Sequence, residues 1–302
     1  MTEITSVRPV AAGNAWLLTC GKSAAIYDTG FACTARDAVR LVRDRLGDRS
    51  PEWILLSHSH YDHASGTGIF AGAFPEAVIC GAAHCARVFS RPGAKATMRT
   101  LNGTAAALYG REPDDDSVED LRVDRVLRDG DRLTLGDASI EVWETPGHTQ
   151  CSLSFFFLEE SLLLGSETMG IPDGPIPEEG DFVVIPSCMV GVERSLQAID
   201  RAIAARPERI LIPHIGVVSG TTAERYLRCA REWTLRGKEL VLRGADGGRS
   251  VEELIAEWKR MFFTEETARI QPEAAFDLNA SYIIPAILKE FGRPQPDPVP
   301  KA

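Results

Sequence analysis

The chain has no excess of positive charge, no Cys-x-x-Cys pair and only six histidines among 302 residues. Each absence removes a class of function. Thirty-three basic against 43 acidic residues leave a net charge of −10. A nucleic-acid backbone is bound by a basic field, so no nucleic-acid partner is expected. Crossing a bilayer takes ~20 consecutive apolar residues; no run here approaches that, and no membrane partner is expected. Met1-Thr2-Glu3-Ile4-Thr5 lacks the basic region and apolar core of a secretory signal, which makes the cytoplasm the expected compartment. Seven cysteines, at 20, 33, 80, 85, 151, 188 and 229, read as small buried apolar residues rather than a disulfide framework. A G-x-S-x-G elbow is also missing, which argues against a serine hydrolase.

What is present is concentrated in Ile54-Leu55-Leu56-Ser57-His58-Ser59-His60-Tyr61-Asp62-His63. The apolar run after Pro51 reads as a buried strand whose C-terminal end carries the chemistry. Imidazole and carboxylate are the usual ligands of zinc, and of iron or manganese of similar hardness. In an extended segment His58 and His60 share a face, and the following turn can bring Asp62 and His63 to a second position. That geometry suits two metal ions. A lone histidine pair would more simply be a polar cluster at a strand end, but two further histidines repeat the pattern of strand, turn, histidine: Glu144-Thr145-Pro146-Gly147-His148 and Ile210-Leu211-Ile212-Pro213-His214. His84, between Cys80 and Cys85, lacks the second half of a metal site and reads as a helix-start or surface residue.

Taken together, these residues resemble the metallo-β-lactamase superfamily. Its HxHxDH motif is matched by His58, His60, Asp62 and His63, and its later histidines by His148 and His214. The resemblance covers roughly residues 5–220 and implies an α/β fold, a four-layer αββα sandwich, with a catalytic domain over 1–220. It also implies a bridging acid, usually Asp; here Leu162-Leu163-Leu164-Gly165-Ser166-Glu167 offers Glu167, one methylene longer. Glu167 can bridge two ions, bind only one, or leave the second site weak. On this resemblance His58, His60 and His148 hold one ion, Asp62, His63 and His214 the other, with Glu167 between. The cofactors implied are two divalent metal ions, zinc first, iron or manganese as alternatives. A hydroxide bridging the ions would attack a carbonyl, with Asp62 orienting it. The charge and compartment favour a thioester, carboxylic ester or lactone of a small molecule, although fold does not choose the bond. The alternatives are a di-iron redox protein or a catalytically weak signalling or binding member of the same fold. Flavodiiron relatives usually carry Glu where His60 stands. A homodimer is left open.

The remaining chain reads as follows. Ile4–Val10 and Asn14–Tyr27 form the first strands, closing at Asp28-Thr29-Gly30; an Asp-x-Gly there resembles a support for the metal ligands. Residues 34–47 place Ala38, Leu41, Val42 and Leu46 at helical spacing. Ala64-Ser65-Gly66-Thr67-Gly68 is small enough to let backbone approach the ions. Val126–Gly136 reads as two strands around Asp129-Gly130, and Ser152–Leu158 with Ser161–Leu164 as a hairpin. Residues 171–187, rich in proline, form an irregular loop beside the site. Val192–Ala205 is a helix and Arg209–Pro213 a strand. Beyond Gly220, helical periodicity over 222–243, 250–263 and 272–291 marks a C-terminal helical extension, 221–302, expected to cover the active site as in glyoxalase II and the quinolone-signal response thioesterase. Ser250 and Glu253 form a capping-box pattern. The tail from Pro294 is expected to be loose.

Overall fold

The computed structural model describes residues 1–114 and 116–293; the tail 294–302, expected to be loose, lies outside the described residues. The chain divides into two compact units, Met1–Glu144 with Cys151–Ser166, and Thr145–Gln150 with Glu167 onward.

The first unit opens with β1 (Glu3–Ser6), β2 (Ala15–Cys20) and β3 (Ser23–Thr29), paired antiparallel. It continues in parallel through β4 (Trp53–Leu55), β5 (Val78–Ala82) and β6 (Arg125–Leu127), side by side in that order. Ala24–Thr29 and Ile54–Leu55 are buried throughout, as strands covered on both faces require. The crossovers are helical. Between β3 and β4 lies α1 (Ala32–Leu46); between β4 and β5 lie the one-turn α2 (Tyr61–Ala64) and α3 (Thr67–Ala73); between β5 and β6 lie α4 (Ala83–Phe89), α5 (Pro92–Leu108) and α6 (Asp116–Glu119). Helix α1 ends at Gly47, the glycine cap its sequence calls for, with a φ of 60° that favours glycine and an N–H that donates to Arg43 O. Leu41, expected on the buried face, is 41% exposed. The other three expected positions, Ala38, Val42 and Leu46, are buried together with Ala35 and Val39, so the face is the one read from the spacing and Leu41 lies just beyond its edge.

Four more strands, β7 (Arg132–Leu135), β8 (Ala138–Glu144), β9 (Leu153–Phe157) and β10 (Leu162–Leu164), pair antiparallel in that order. The expected hairpin of β9 and β10 is present, with Leu162 opposite Phe157. The two strands expected around Asp129-Gly130 are present as β6 and β7, but they do not pair with each other: β6 pairs with β5, whereas β7 pairs with β8. The turn carries the chain from one sheet to the next, because an Asp-Gly pair specifies a turn and not the partners of its flanking strands. The sheets meet through Tyr27 and Phe155, edge to face with ring centroids 5.9 Å apart. Both are fully buried, each burial stabilising by roughly 1.5–3 kcal/mol.

In the second unit a 3₁₀ turn over Glu167–Met169 precedes a small ribbon of β11 (Ile171–Pro172) and β12 (Val184–Ile185), set within the expected irregular loop. Helix α7 (Val192–Ala205) follows, then β13 (Arg209–Ile212) and β14 (Gly216–Ser219), an antiparallel pair whose turn holds His214. Among the described residues four helices follow: α8 (Gly220–Asp246), α9 (Val251–Phe262), α10 (Glu265–Ile270) and α11 (Glu273–Glu290). Val192, Leu196, Val241, Leu254, Trp258 and Ile287 share one buried cluster, so these helices build the core of the unit rather than hang from it. The capping box of α9 is complete: Glu253 N–H donates to Ser250 Oγ at 3.2 Å and Ser250 N–H to Glu253 Oε2 at 2.8 Å. Helix α10, in a stretch without a clear period, starts on a Thr264 cap. No described helix is long and apolar enough to cross a membrane.

Candidate metal centre

In the first unit the donors sit where β4 stops. Leu56 still hydrogen-bonds Cys80 O, the chain then bends at Ser57 and again at Ser59, and His60, itself extended, caps α2 with Asp62 and His63 in its only turn. His58 and His63 are fully buried. The His58 ring lies 4.6 Å from that of His60 and 4.1 Å from that of His63, centroid to centroid. His63 Nε2 is 3.6 Å from Asp62 Oδ2.

Behind these rings stands Asp28. It has a φ of 56°, a left-handed conformation that aspartate tolerates better than most residues. Its carboxylate accepts from Ser57 N–H at 2.7 Å, from Ser57 Oγ at 2.7 Å, and lies 2.7 Å from His63 Nδ1. A buried carboxylate there holds His63 with its proton on Nδ1 and turns Nε2, the usual ligand atom, outward. The Ser57 hydroxyl, its proton given to Asp28, is 3.0 Å from His58 Nδ1 and accepts from it, which sets the same tautomer there. Asp62 has a reach beyond the metal donors: burial first and the Asp62 charge next hold the Tyr109 phenol above its ordinary pKa.

Gly66 and Gly68, expected to let backbone approach the ions, also meet close backbone from other elements. A Cβ on Gly66 would lie 2.4 Å from Thr29 O, and one on Gly68 would lie 2.7 Å from Ser117 O. They allow helices to pack against backbone.

In the second unit His148 follows a turn that only glycine can make at 147, where a Cβ would lie 2.4 Å from Ser195 Oγ and 2.5 Å from Thr168 Cγ2. His148 N–H donates to Thr168 Oγ1. His148 Nδ1 is 2.7 Å from Ser187 Oγ and 3.2 Å from Ser187 O; a carbonyl only accepts, so the proton belongs on Nδ1 here too. Glu167 spreads its two oxygens between two imidazoles: Oε2 is 2.8 Å from His148 Nε2 and Oε1 is 2.5 Å from His214 Nε2. His214 has a φ of 64°, strain of the kind that clusters at functional sites. Burial, with the Glu167 charge adding, also pushes up the Tyr226 hydroxyl, which donates to Gly170 O at 2.8 Å.

The structure thus gathers His58, His60, Asp62 and His63 in one unit and His148, Glu167 and His214 in the other. Imidazole nitrogens and carboxylate oxygens face one another within each set, and this is the donor chemistry of a borderline divalent cation. Ser57, Asn14, Thr168 and Ser187 escaped the reading by sequence. Serine, threonine and asparagine are too common for their presence to point anywhere.

A model of the metallo-β-lactamase superfamily matches residues 8–214. The chain belongs to that superfamily. It is 26% identical over 171 residues to a hydroxyacylglutathione hydrolase of Acidiphilium cryptum, an alignment covering 57% of this chain and 55% of that protein. It is 24% identical over 228 residues to the acyl-coenzyme A thioesterase MBLAC2 of Gallus gallus, covering 73% and 77% respectively. The chain spans about a third to a half of the length of several curated relatives it matches. Among solved structures, a metallo-β-lactamase family protein from Thermus thermophilus superposes with a TM-score of 0.63 at 22% identity, over 96% of this chain and 94% of that one. The fold class is therefore the expected one, mixed α/β of the metallo-β-lactamase kind with C-terminal helices.

Proposed function

We propose that His58, His60, Asp62, His63, His148, Glu167 and His214 together hold two divalent metal ions, zinc first, and that the protein hydrolyses a thioester, carboxylic ester or lactone of a small molecule. The observation that carries this reading is the set of second partners: His63, His58 and His148 each have Nδ1 engaged by Asp28, Ser57 or Ser187, the arrangement that prepares Nε2 for a metal. When bound, such ions lower the pKa of water into the neutral range and polarise a carbonyl. The chain's own part is to hold the donors in place. Glu167, with one oxygen toward each of two histidines, is assigned the bridging position, and Asp62, 22% exposed at its side chain, is assigned the orientation of the attacking water.

The acyl substrate is supported by the relatives' names, hydroxyacylglutathione hydrolase and acyl-coenzyme A thioesterase, which both describe acyl hydrolases. The net charge of −10 favours a small molecule over nucleic acid or an anionic membrane surface. Within this proposal the protein acts in the cytoplasm, residues 1–220 form the catalytic domain, and helices 221–302 contribute to substrate choice.

The test is elemental analysis of the purified protein together with a panel of acyl-thioester, aryl-ester and lactone substrates. The expected result is about two ions per chain and turnover that His60→Ala abolishes. Protein without metal after preparation in ample zinc would overturn the metal site; unchanged turnover in His60→Ala would overturn the hydrolytic role.

A further inference from the structure

Asn14 stands at the entrance to β2, fully buried, with its main-chain N–H and both ends of its side-chain amide committed. The main-chain N–H donates to Asp62 O at 2.9 Å. The side-chain Oδ1 accepts from Trp16 Nε1 at 2.7 Å, and Nδ2 donates to Asp28 Oδ2 at 2.8 Å. The orientation of the amide follows from chemistry. An indole nitrogen only donates, so it must face the amide oxygen, and an ionised carboxylate only accepts, so it must face the amide nitrogen. Trp16 acts as a key that turns Asn14 the right way round.

The consequence lies at Asp28. Four donor atoms meet its two oxygens: Asn14 Nδ2, Ser57 N, Ser57 Oγ and His63 Nδ1. Three of them, Asn14 Nδ2, Ser57 Oγ and His63 Nδ1, converge on Oδ2, and Ser57 N–H holds Oδ1, so the carboxylate cannot rotate without giving up a buried hydrogen bond. Of these donors Asn14 is the one anchored outside the strand end and helix that carry the histidines. It comes from 44 positions before the first of them in sequence, and through its N–H it also ties down the peptide of Asp62.

We propose that Asn14 is a positioning residue for the metal donors: keyed by Trp16, it fixes the Asp28 carboxylate that sets the tautomer and direction of His63, and it pins the Asp62 backbone at the same time. This rests on the proposed metal-binding role of His63 and Asp62. A purely structural role would give Asn14 an effect on folding alone. A positioning role makes metal affinity fall in protein that is still folded.

The experiment compares wild type, Asn14→Ala and Trp16→Phe. Each is stripped of metal, its thermal unfolding is recorded, and zinc affinity is measured by competition with a chromophoric chelator; cobalt-loaded samples give a visible ligand-field spectrum. Asn14→Ala is expected to bind zinc roughly 10–100-fold more weakly with altered cobalt bands. Trp16→Phe keeps an aromatic ring and removes the indole donor, and is expected to fall between Asn14→Ala and wild type. Folded Asn14→Ala with wild-type zinc affinity and cobalt spectrum overturns the inference, even if its metal-free form melts lower. Should Asn14→Ala fail to fold, Trp16→Phe decides alone, and unchanged affinity in it overturns the inference. Wild-type protein that takes up no zinc would instead sink the proposed function, so the two failures are distinguishable.

Discussion

The chemistry of the candidate centre is decided one residue at a time, by what stands behind each imidazole. His63 is held by a buried carboxylate, His58 by a serine hydroxyl and His148 by the hydroxyl and carbonyl of Ser187. Losing such a partner typically costs 10–100-fold in metal affinity. Ser187→Ala should therefore weaken zinc binding by roughly tenfold, read by chelator competition, while leaving the unfolding midpoint of the metal-free protein nearly in place. Glu167 calls for a separate variant. Its length lets Oε1 and Oε2 face two different histidines, and Glu167→Ala should lower the metal content below that of wild type and reduce turnover together. Full metal content and full activity in that variant would remove Glu167 from the bridging position. The seven donor candidates are legible because histidine is rare in this chain and each histidine among them follows a strand and a turn. Their supports are not. Asp28 reaches His63 across 35 positions and Ser187 reaches His148 across 39, and no local pattern announces such a pairing.

Elements show the same division between local and distant causes. The α9 capping box is written in a four-residue pattern, Ser250 to Glu253, and forms as written. Helix α7 begins at Gly191, which offers no side chain to its free N–H groups, and the cap arrives from the far end of α11: Glu290 accepts from Val192 N–H at 2.6 Å and from Glu193 N–H at 3.2 Å. A carboxylate there satisfies two orphan donors and meets the positive end of the helix dipole. Glu290→Ala should destabilise the protein by about 1–2 kcal/mol, measured by urea unfolding. Because Val190 N–H donates to Gly147 O, the same loop also touches the turn that carries His148. An unchanged unfolding midpoint would show that water caps α7 as well as Glu290 does. The strands flanking Asp129-Gly130 make the converse point: the turn is readable, but which sheet each strand joins is settled by pairing with β5 and β8.

For the whole molecule, the cysteines provide a test that does not involve metal. None of the seven is joined in a disulfide; six are buried and Cys33 is partly exposed. Burial pushes the Cys80 and Cys188 thiols up to about 12 and Cys85 well above its ordinary value. The folded protein therefore keeps these protons where the unfolded chain, with thiols near the ordinary value of 9.0, has released them. Stability from this source is fully present below about pH 9 and is lost as pH rises toward the folded values, by at most about 1.4 kcal/mol per pH unit for each thiol. Urea midpoints should fall between neutral pH and about pH 10, and Cys188→Ala should flatten that fall. A thiol reagent under native conditions should modify Cys33 before any other cysteine, and rapid reaction of several would contradict the burial described.

The sequence by itself determined the inventory and order of the parts: which residues can ligate a cation, that they follow strands and turns, that a helical region closes the chain, and the superfamily to which all this belongs. These are readable because residue chemistry, side-chain periodicity and turn preference act over a few neighbouring positions. Tertiary structure alone decided which imidazole meets which carboxylate, that Asn14 and Trp16 lock Asp28, that Glu290 caps a helix begun 98 positions earlier, and where β6 and β7 part company. Those outcomes depend on hydrogen bonds and packing between segments that only folding brings together.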